Sequence, residues 1–206
     1  MVTRGKVFTY FVEDEAQEVF IKALIQRLAT DAGISIQHNP GSVVTGGSRS
    51  LVALKTFLRE EQHRRVLATD VLVLSVDGNC QGYQRKIADM NDIIQRAQYL
   101  KPFVCAVPDP HIERWYLCDH KALRQALSSS ITPKPTPKNK CGRDWYKTEY
   151  HRLLKEAKIP IILNDYEHAE AIVEKMNLYE AGRNEPSLGQ FLNDLRSALK
   201  NLAQNR

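Results

Sequence analysis

Two nearly continuous apolar runs, Lys6–Val12 and Val71–Val76, each end in an acidic residue, Glu13 and Asp77, and each lead toward a helical pattern. Runs of β-branched and aromatic residues without polar alternation indicate strands buried on both faces, the condition of a parallel sheet. Parallel strands need long crossovers, usually helices. The chain supplies them. Val19, Phe20, Ala23, Leu24 and Leu28 recur at helical spacing after the first run, and Gly33 suits the helix end. Ile34-Ser35-Ile36 follows as a short strand. Leu51, Leu54, Phe57 and Leu58 mark a second helix, and Ile87, Met90, Ile94 and Ala97 a third. Pro102–Val107 is a further buried strand. The order β-α-β-α-β-α-β predicts an α/β fold: a Rossmann-like, mostly parallel central sheet with helices on both faces.

After Pro108 the pattern changes. Ile112–Leu117 begins a helical stretch around Trp115. Ser128–Lys140 is rich in Ser, Pro and Lys, with Pro133, Pro135 and Pro137 in alternation, which predicts an extended connection. Three helices are expected beyond it, at Arg143–Ala157, Tyr166–Met176 and Ser187–Ala203. The last carries Leu188, Phe191, Leu192, Leu195, Leu199 and Leu202 on one stripe and should pack on the core. The expected organisation is an α/β core over 1–127, a Pro/Lys-rich connection over 128–142 and a helical C-terminal extension over 143–206.

Charge is unevenly distributed. The net charge is +5, yet residues 121–160 hold ten Lys or Arg against three Asp or Glu. Such a segment attracts polyanions by neutralising phosphates and releasing counterions. An acidic protein partner, or a merely solvated basic surface, would suit it too. No apolar run approaches the roughly 20 residues that span a bilayer, and the first residues lack a secretory apolar region, so a cytoplasmic location is expected. Cys80, Cys105, Cys118 and Cys141 form no C-x-x-C pair and no zinc spacing. In a reducing cytosol they are expected to be free thiols, mostly buried.

The acids at the strand ends are the candidate site. Ligands of open α/β sheets bind at the carboxyl edge, and hard cations such as Mg²⁺ prefer oxygen ligands. Glu13 follows the first strand, where a buried carboxylate needs a justification. Asp77 ends the most apolar strand and is followed by Gly78 and Gly82, which let backbone approach a ligand. Asn79 can add a neutral oxygen. Asp109 and Glu113 follow the last strand and bring two more carboxylates to the same edge. The structural alternatives are a helix-opening acid at Glu13, an ordinary Asp-Gly turn at Asp77 and a capping acid at Glu113. His38 and His111 fall near strand ends and could assist. Gly41–Ser48 nearly spells a phosphate-binding loop, but Gly47 stands where its Lys belongs.

These residues resemble a known family. Val12-Glu13 followed by Glu18 and Phe20 is similar to the first motif of Toprim domains, a strand ending in Glu before a helix. Asp77-Gly78-Asn79-Cys80-Gln81-Gly82 resembles their second motif, D-x-D-x-x-G. Within Toprim proteins the chain looks most like the small nuclease-like group that includes RloB-type, AbiL-associated and DUF4276 proteins. Glu113-Arg114-Trp115, and more weakly Pro186-Ser187 and Phe191, carry that part of the likeness. The resemblance covers about residues 6 to 120.

It implies a Toprim-like fold and Mg²⁺- or Mn²⁺-dependent phosphodiester chemistry on DNA or RNA, tRNA included. The implied role is effector of an antiphage defence system, alongside an ATPase of the ABC or SMC type. Carried over, Glu13, Asp77 and Glu113 are the catalytic, metal-binding acids, with Asn79 and Asp109 as secondary metal ligands. Arg143 and Lys147 in the basic segment would hold substrate phosphates. One departure matters: Asn79 replaces the second Asp and removes a negative charge. The competing expectation is a catalytically weak Toprim-fold subunit that docks on the ATPase. A third is a toxin held inactive by its partner.

Overall fold

The structure is a computed structural model that describes residues 4–39, 42–43, 50–61, 68–136, 141, 144–159 and 166–204. Its sheet is built from β1 (Lys6–Val12), β2 (Ile36–His38), β3 (Ser42–Val43), β4 (Val71–Ser75) and β5 (Phe103–Ala106). The strand order is β2-β1-β4-β5, all pairs are parallel, and β3 also pairs with β1. Lys6 faces Ile36 while Phe11 faces Ser42, so β2 and β3 extend one edge in two pieces. The break explains why only a loop was expected there: two residues of strand leave no periodic pattern. The second strand itself begins at Ile36 rather than Ile34.

The central strands are buried on both faces, as their unbroken apolar composition predicts. Phe8, Tyr10, Val12, Val73 and Val104 face one core; Phe11, Leu72, Leu74 and Cys105 face the other. Helix α1 (Glu15–Asp31) lies on the first face and α2 (Ser50–Glu61) and α3 (Tyr83–Arg96) on the second. Asp14 caps α1 by accepting a hydrogen bond from the Gln17 N–H at 2.8 Å, which satisfies one of the donors that a helix start leaves open. Gly33, at φ +67°, carries the chain out of the helix in a conformation costly for other residues.

Helices α4 (Glu113–Tyr116), α5 (His120–Ala126), α6 (Trp145–Glu156), α7 (Ala169–Lys175), α8 (Leu178–Asn184) and α9 (Pro186–Gln204) all contribute to the core on the α1 face. All six apolar residues of the α9 stripe are buried. Two short helices, α5 and α8, escape the sequence pattern because seven residues give barely two turns of periodicity. Among the described residues of the connection, Ile131–Thr136 form neither helix nor strand. Helices α8 and α9 meet at a pair of glycines. A Cβ on Gly182 would lie 3.1 Å from the Gly189 Cα, and one on Gly189 would run into the Gly182 carbonyl. No helix among the described residues is long and apolar enough to cross a membrane.

Phe20 on α1 is fully buried and packs against Trp115 and Tyr116 of α4. Truncating it to Ala removes a large side chain from a dense core. The expected loss is about 3–5 kcal/mol, read as a lower urea midpoint with an unchanged slope.

Candidate functional site

The strand order places a topological switch point between β1 and β4. From β1 the chain first builds β2 on one side and later β4 on the other, and ligands of open α/β sheets bind in the crevice so formed. Register does the rest. Phe11 of β1 faces Leu74 of β4, so Glu13 and Asp77 leave the sheet side by side. The Asp77 N–H donates to Glu13 Oε2 at 2.8 Å. Two acids 64 positions apart in sequence are thus in direct contact.

Gln17 joins them. It is completely buried. Its Nε2 donates to Asp77 Oδ1 at 2.7 Å, and its Oε1 accepts from Ser75 Oγ at 2.8 Å and from the Glu13 N–H at 3.2 Å. On its other oxygen, Oδ2, Asp77 bonds His111 Nδ1 at 2.9 Å. Sequence reading passed over Gln17, although it occupies the α1 stripe that continues through Phe20, Ile21 and Leu24. A polar residue on an otherwise apolar, buried stripe was the available signal. Lys86 was missed too. It is buried on α3, one turn before Met90 on that helix's apolar side, and its charge acts on Glu13.

The electrostatics of the group are strained. Burial pushes the Glu13 carboxyl up to about 7, and the carboxylates of Asp77 and Asp14 add to the rise; the Asp77 N–H and Lys86 oppose it. Burial also raises Glu113, with Asp77 contributing, while its own backbone, Lys147 and His111 pull it back. The bond to Asp77 raises His111, which favours the imidazolium. Asp77 therefore acts as a like charge on both Glu13 and Glu113. A carboxyl that titrates near neutrality can take or give a proton at working pH, and a bound cation would relieve the repulsion.

The secondary ligands are placed differently. Asp109 is buried, and its Oδ1 accepts from the Cys80 N–H at 3.0 Å. Gly78 lies so close that a Cβ there would come within 2.6 Å of the Asp109 side chain. Asp109 thus shapes the loop after β4. Asn79 is exposed, sits at φ +48° and turns its Nδ2 back to the Asp77 carbonyl at 3.4 Å. Lys147, exposed on α6, acts on Glu113, whereas Arg143 lies outside the described residues. Of the Gly41–Ser48 loop only Ser42 and Val43 are described. His38 bonds the Tyr10 hydroxyl rather than any of the acids.

Among the described residues no three His, Cys, Asp or Glu side chains stand as a ready-made metal cage. The donors are nonetheless the hard oxygens that Mg²⁺ favours, and that ion typically uses one or two carboxylates, water and substrate phosphates rather than an all-protein cage. Glu13 and Asp77 suit that mode, since a carboxylate oxygen that accepts one hydrogen bond keeps further lone pairs.

One expectation is corrected. Cys80 and Cys141 are joined as a disulfide, with Cα atoms 5.7 Å apart, while Cys105 and Cys118 are free. Spacing in sequence gave no sign of the pair, because folding brings together two positions 61 apart in sequence. The bond anchors the β4 loop to the basic segment.

The fold and this edge define a class: parallel α/β proteins that gather acids at the carboxyl ends of two central strands. The chain belongs to the DUF4276 family, a domain of unknown function, whose model matches residues 12–196. No curated protein and no solved structure matches it.

Two outcomes are expected. Because the folded state raises Glu13 above its ordinary range, it binds the proton more tightly than the unfolded chain. Stability then falls as pH rises from the ordinary carboxylate range through about 7. In EDTA, Glu13→Gln should unfold at higher urea than the parent at pH 8, and the two should converge near pH 5. Thiol titration of the denatured, unreduced protein should find two thiols per chain and, after reduction, four.

Proposed function

We propose that the protein is a metal-dependent nuclease of Toprim type that hydrolyses phosphodiester bonds in DNA or RNA. The observation that carries this is the direct contact of Glu13 with Asp77 at the switch point. Supporting it are the Glu113 carboxyl within electrostatic reach of Asp77 and the Lys147 ammonium beside it.

Glu13 and Asp77 would hold Mg²⁺ or Mn²⁺, with Glu113 completing the acidic set. When bound, the ion supplies Lewis-acid polarisation of the phosphodiester and a more acidic water. The chain's own residues do the remainder. Gln17 fixes the Asp77 carboxylate from one side and His111 from the other, so Asp77 presents its oxygens in a set orientation. Without the ion Glu13 would keep its proton to near neutrality, and it would release that proton on taking the ion. His111, as imidazolium, is placed to donate one toward a leaving oxygen. Lys147 and Lys86 set positive charge near the acids, where a phosphate's charge would develop. The basic stretch after Leu117 supplies attraction for the nucleic acid. On this reading the protein works in the cytoplasm as an antiphage effector, beside an ABC- or SMC-type ATPase.

A second reading has one observation in its favour. Asn79 stands where the Toprim motif has an acid, and its Nδ2 turns back to the Asp77 carbonyl. A Toprim-fold subunit that binds nucleic acid or an ATPase without cutting would have this site.

Purified protein incubated with plasmid, single-stranded DNA and tRNA separates the two. Cleavage should require Mg²⁺ or Mn²⁺, stop in EDTA, and fall by at least about a hundredfold in Glu13→Ala and Asp77→Ala. If every substrate stays intact, with and without the ATPase, the binding subunit is the correct description.

A further inference from the structure

Arg114 lines a cavity of about 860 Å³. It also reaches the loop after β5: its Nη1 donates to the Asp109 carbonyl at 2.6 Å, and its Nε pairs with Glu185. Trp145 and Tyr146 of α6 line the cavity, together with Lys121, Lys134 and Lys175 from three other segments. The acids of this cavity are engaged. Asp119 accepts from the N–H groups of Lys121, Ala122 and Asn177, Glu185 pairs with Arg114, and Glu180 pairs with Arg183. Lys175 is paired with Glu174, so Lys121 and Lys134 are the cations the cavity turns to a ligand, against the one carboxylate of Asp119.

The cavity continues outward. Lys121 and Gln125 also line a second, shallower hollow with Arg124 and Ser128–Ser130. A cationic path with hydroxyl groups thus leads away from Trp145 and Tyr146. Helix α6 connects it with the acidic edge, since Lys147 acts on Glu113 while Trp145 and Tyr146 face the cavity.

We infer that this cavity is a single-stranded nucleic-acid site that takes one unpaired nucleotide, its base against Trp145 and its phosphates along Lys121, Lys134 and Arg124. The inference rests on the reading that the acidic edge acts on nucleic acid, and it narrows the substrate to a strand with unstacked bases. The volume falls in the range of small-ligand pockets and accommodates a nucleotide, not a duplex. Aromatic stacking combined with a cationic groove is the general means of holding single strands without reading their sequence. A duplex keeps its bases stacked and could meet only the lysines.

The test is binding of fluorescein-labelled 12-mers, single-stranded DNA, single-stranded RNA and duplex DNA, to the full chain in EDTA, where no cutting occurs. Lys121, Arg124 and Lys134 are exposed, so their substitution leaves the core intact, which circular dichroism checks. Single strands should bind more tightly than duplex, and the DNA and RNA arms show which backbone is preferred. Lys121→Glu and Lys134→Glu should each weaken single-strand binding about tenfold, while Lys200→Glu, an exposed charge on α9, should change it less than about threefold. Unlabelled strand should quench Trp145 emission, a signal separable from the fully buried Trp115 through loss in Trp145→Phe. Preference for duplex, equal binding by all the Lys variants, or binding without quenching overturns the inference. Binding of this pattern without cleavage in Mg²⁺ leaves it standing and removes the nuclease reading; cleavage without it does the reverse.

Discussion

The parallel pairing of β1 with β4 is the constraint on which the rest depends. Its register brings Glu13 and Asp77 off the sheet together, and the Asp77 N–H closes the contact. Neither acid would be tolerated there at random, because a buried carboxylate is costly unless hydrogen bonds or a cation compensate it. The hydrogen bonds are present and incomplete. Gln17 and His111 bond the Asp77 carboxylate and the Asp77 N–H bonds that of Glu13, yet burial still raises Glu13.

Gln17 binds the local geometry to the helix beyond. The Asp14 cap fixes its backbone, and its amide then bridges Glu13 and Asp77. A cap, a helix start and a two-strand contact act as one unit. On the other flank, Trp115 Nε1 donates to Ser187 Oγ, Ser187 Oγ donates to Glu185, and the Tyr116 hydroxyl donates to the Ala16 carbonyl. These bonds hold α4 between α1 and α9, and Glu113 is carried at its start.

Much of this was legible in the sequence because parallel strands have a plain signature. Lys6–Val12 and Val71–Val76 read as buried strands, and the acids after them could be assigned to one edge without coordinates. Glu113 at the opening of a helix facing inward was legible for the same reason. Gln17 and Lys86 were not singled out, since a polar residue on an apolar stripe reveals its purpose only when its partners from other strands are known. The edge strand was legible only in outline: β3 is two residues long, and β2 is displaced from the expected position. The disulfide was invisible because it depends on how two loops approach, and no local pattern encodes that. Asn79 was visible as a neutral oxygen donor, but not that its Nδ2 turns back to its own loop.

The glycine pair between α8 and α9 has a reach beyond its own helices. Gly182 and Gly189 let the two backbones touch, and Glu185 sits in the short link between them. Through Glu185 the packing governs Arg114, which holds the Asp109 carbonyl, while Asp109 in turn holds the Cys80 backbone. A methyl group added at either glycine would wedge the helices apart and pass the displacement along this relay to the loop that bears Asp77. Harmful substitutions in this chain are therefore to be sought as much in its small, silent residues near the carboxyl terminus as among the acids themselves.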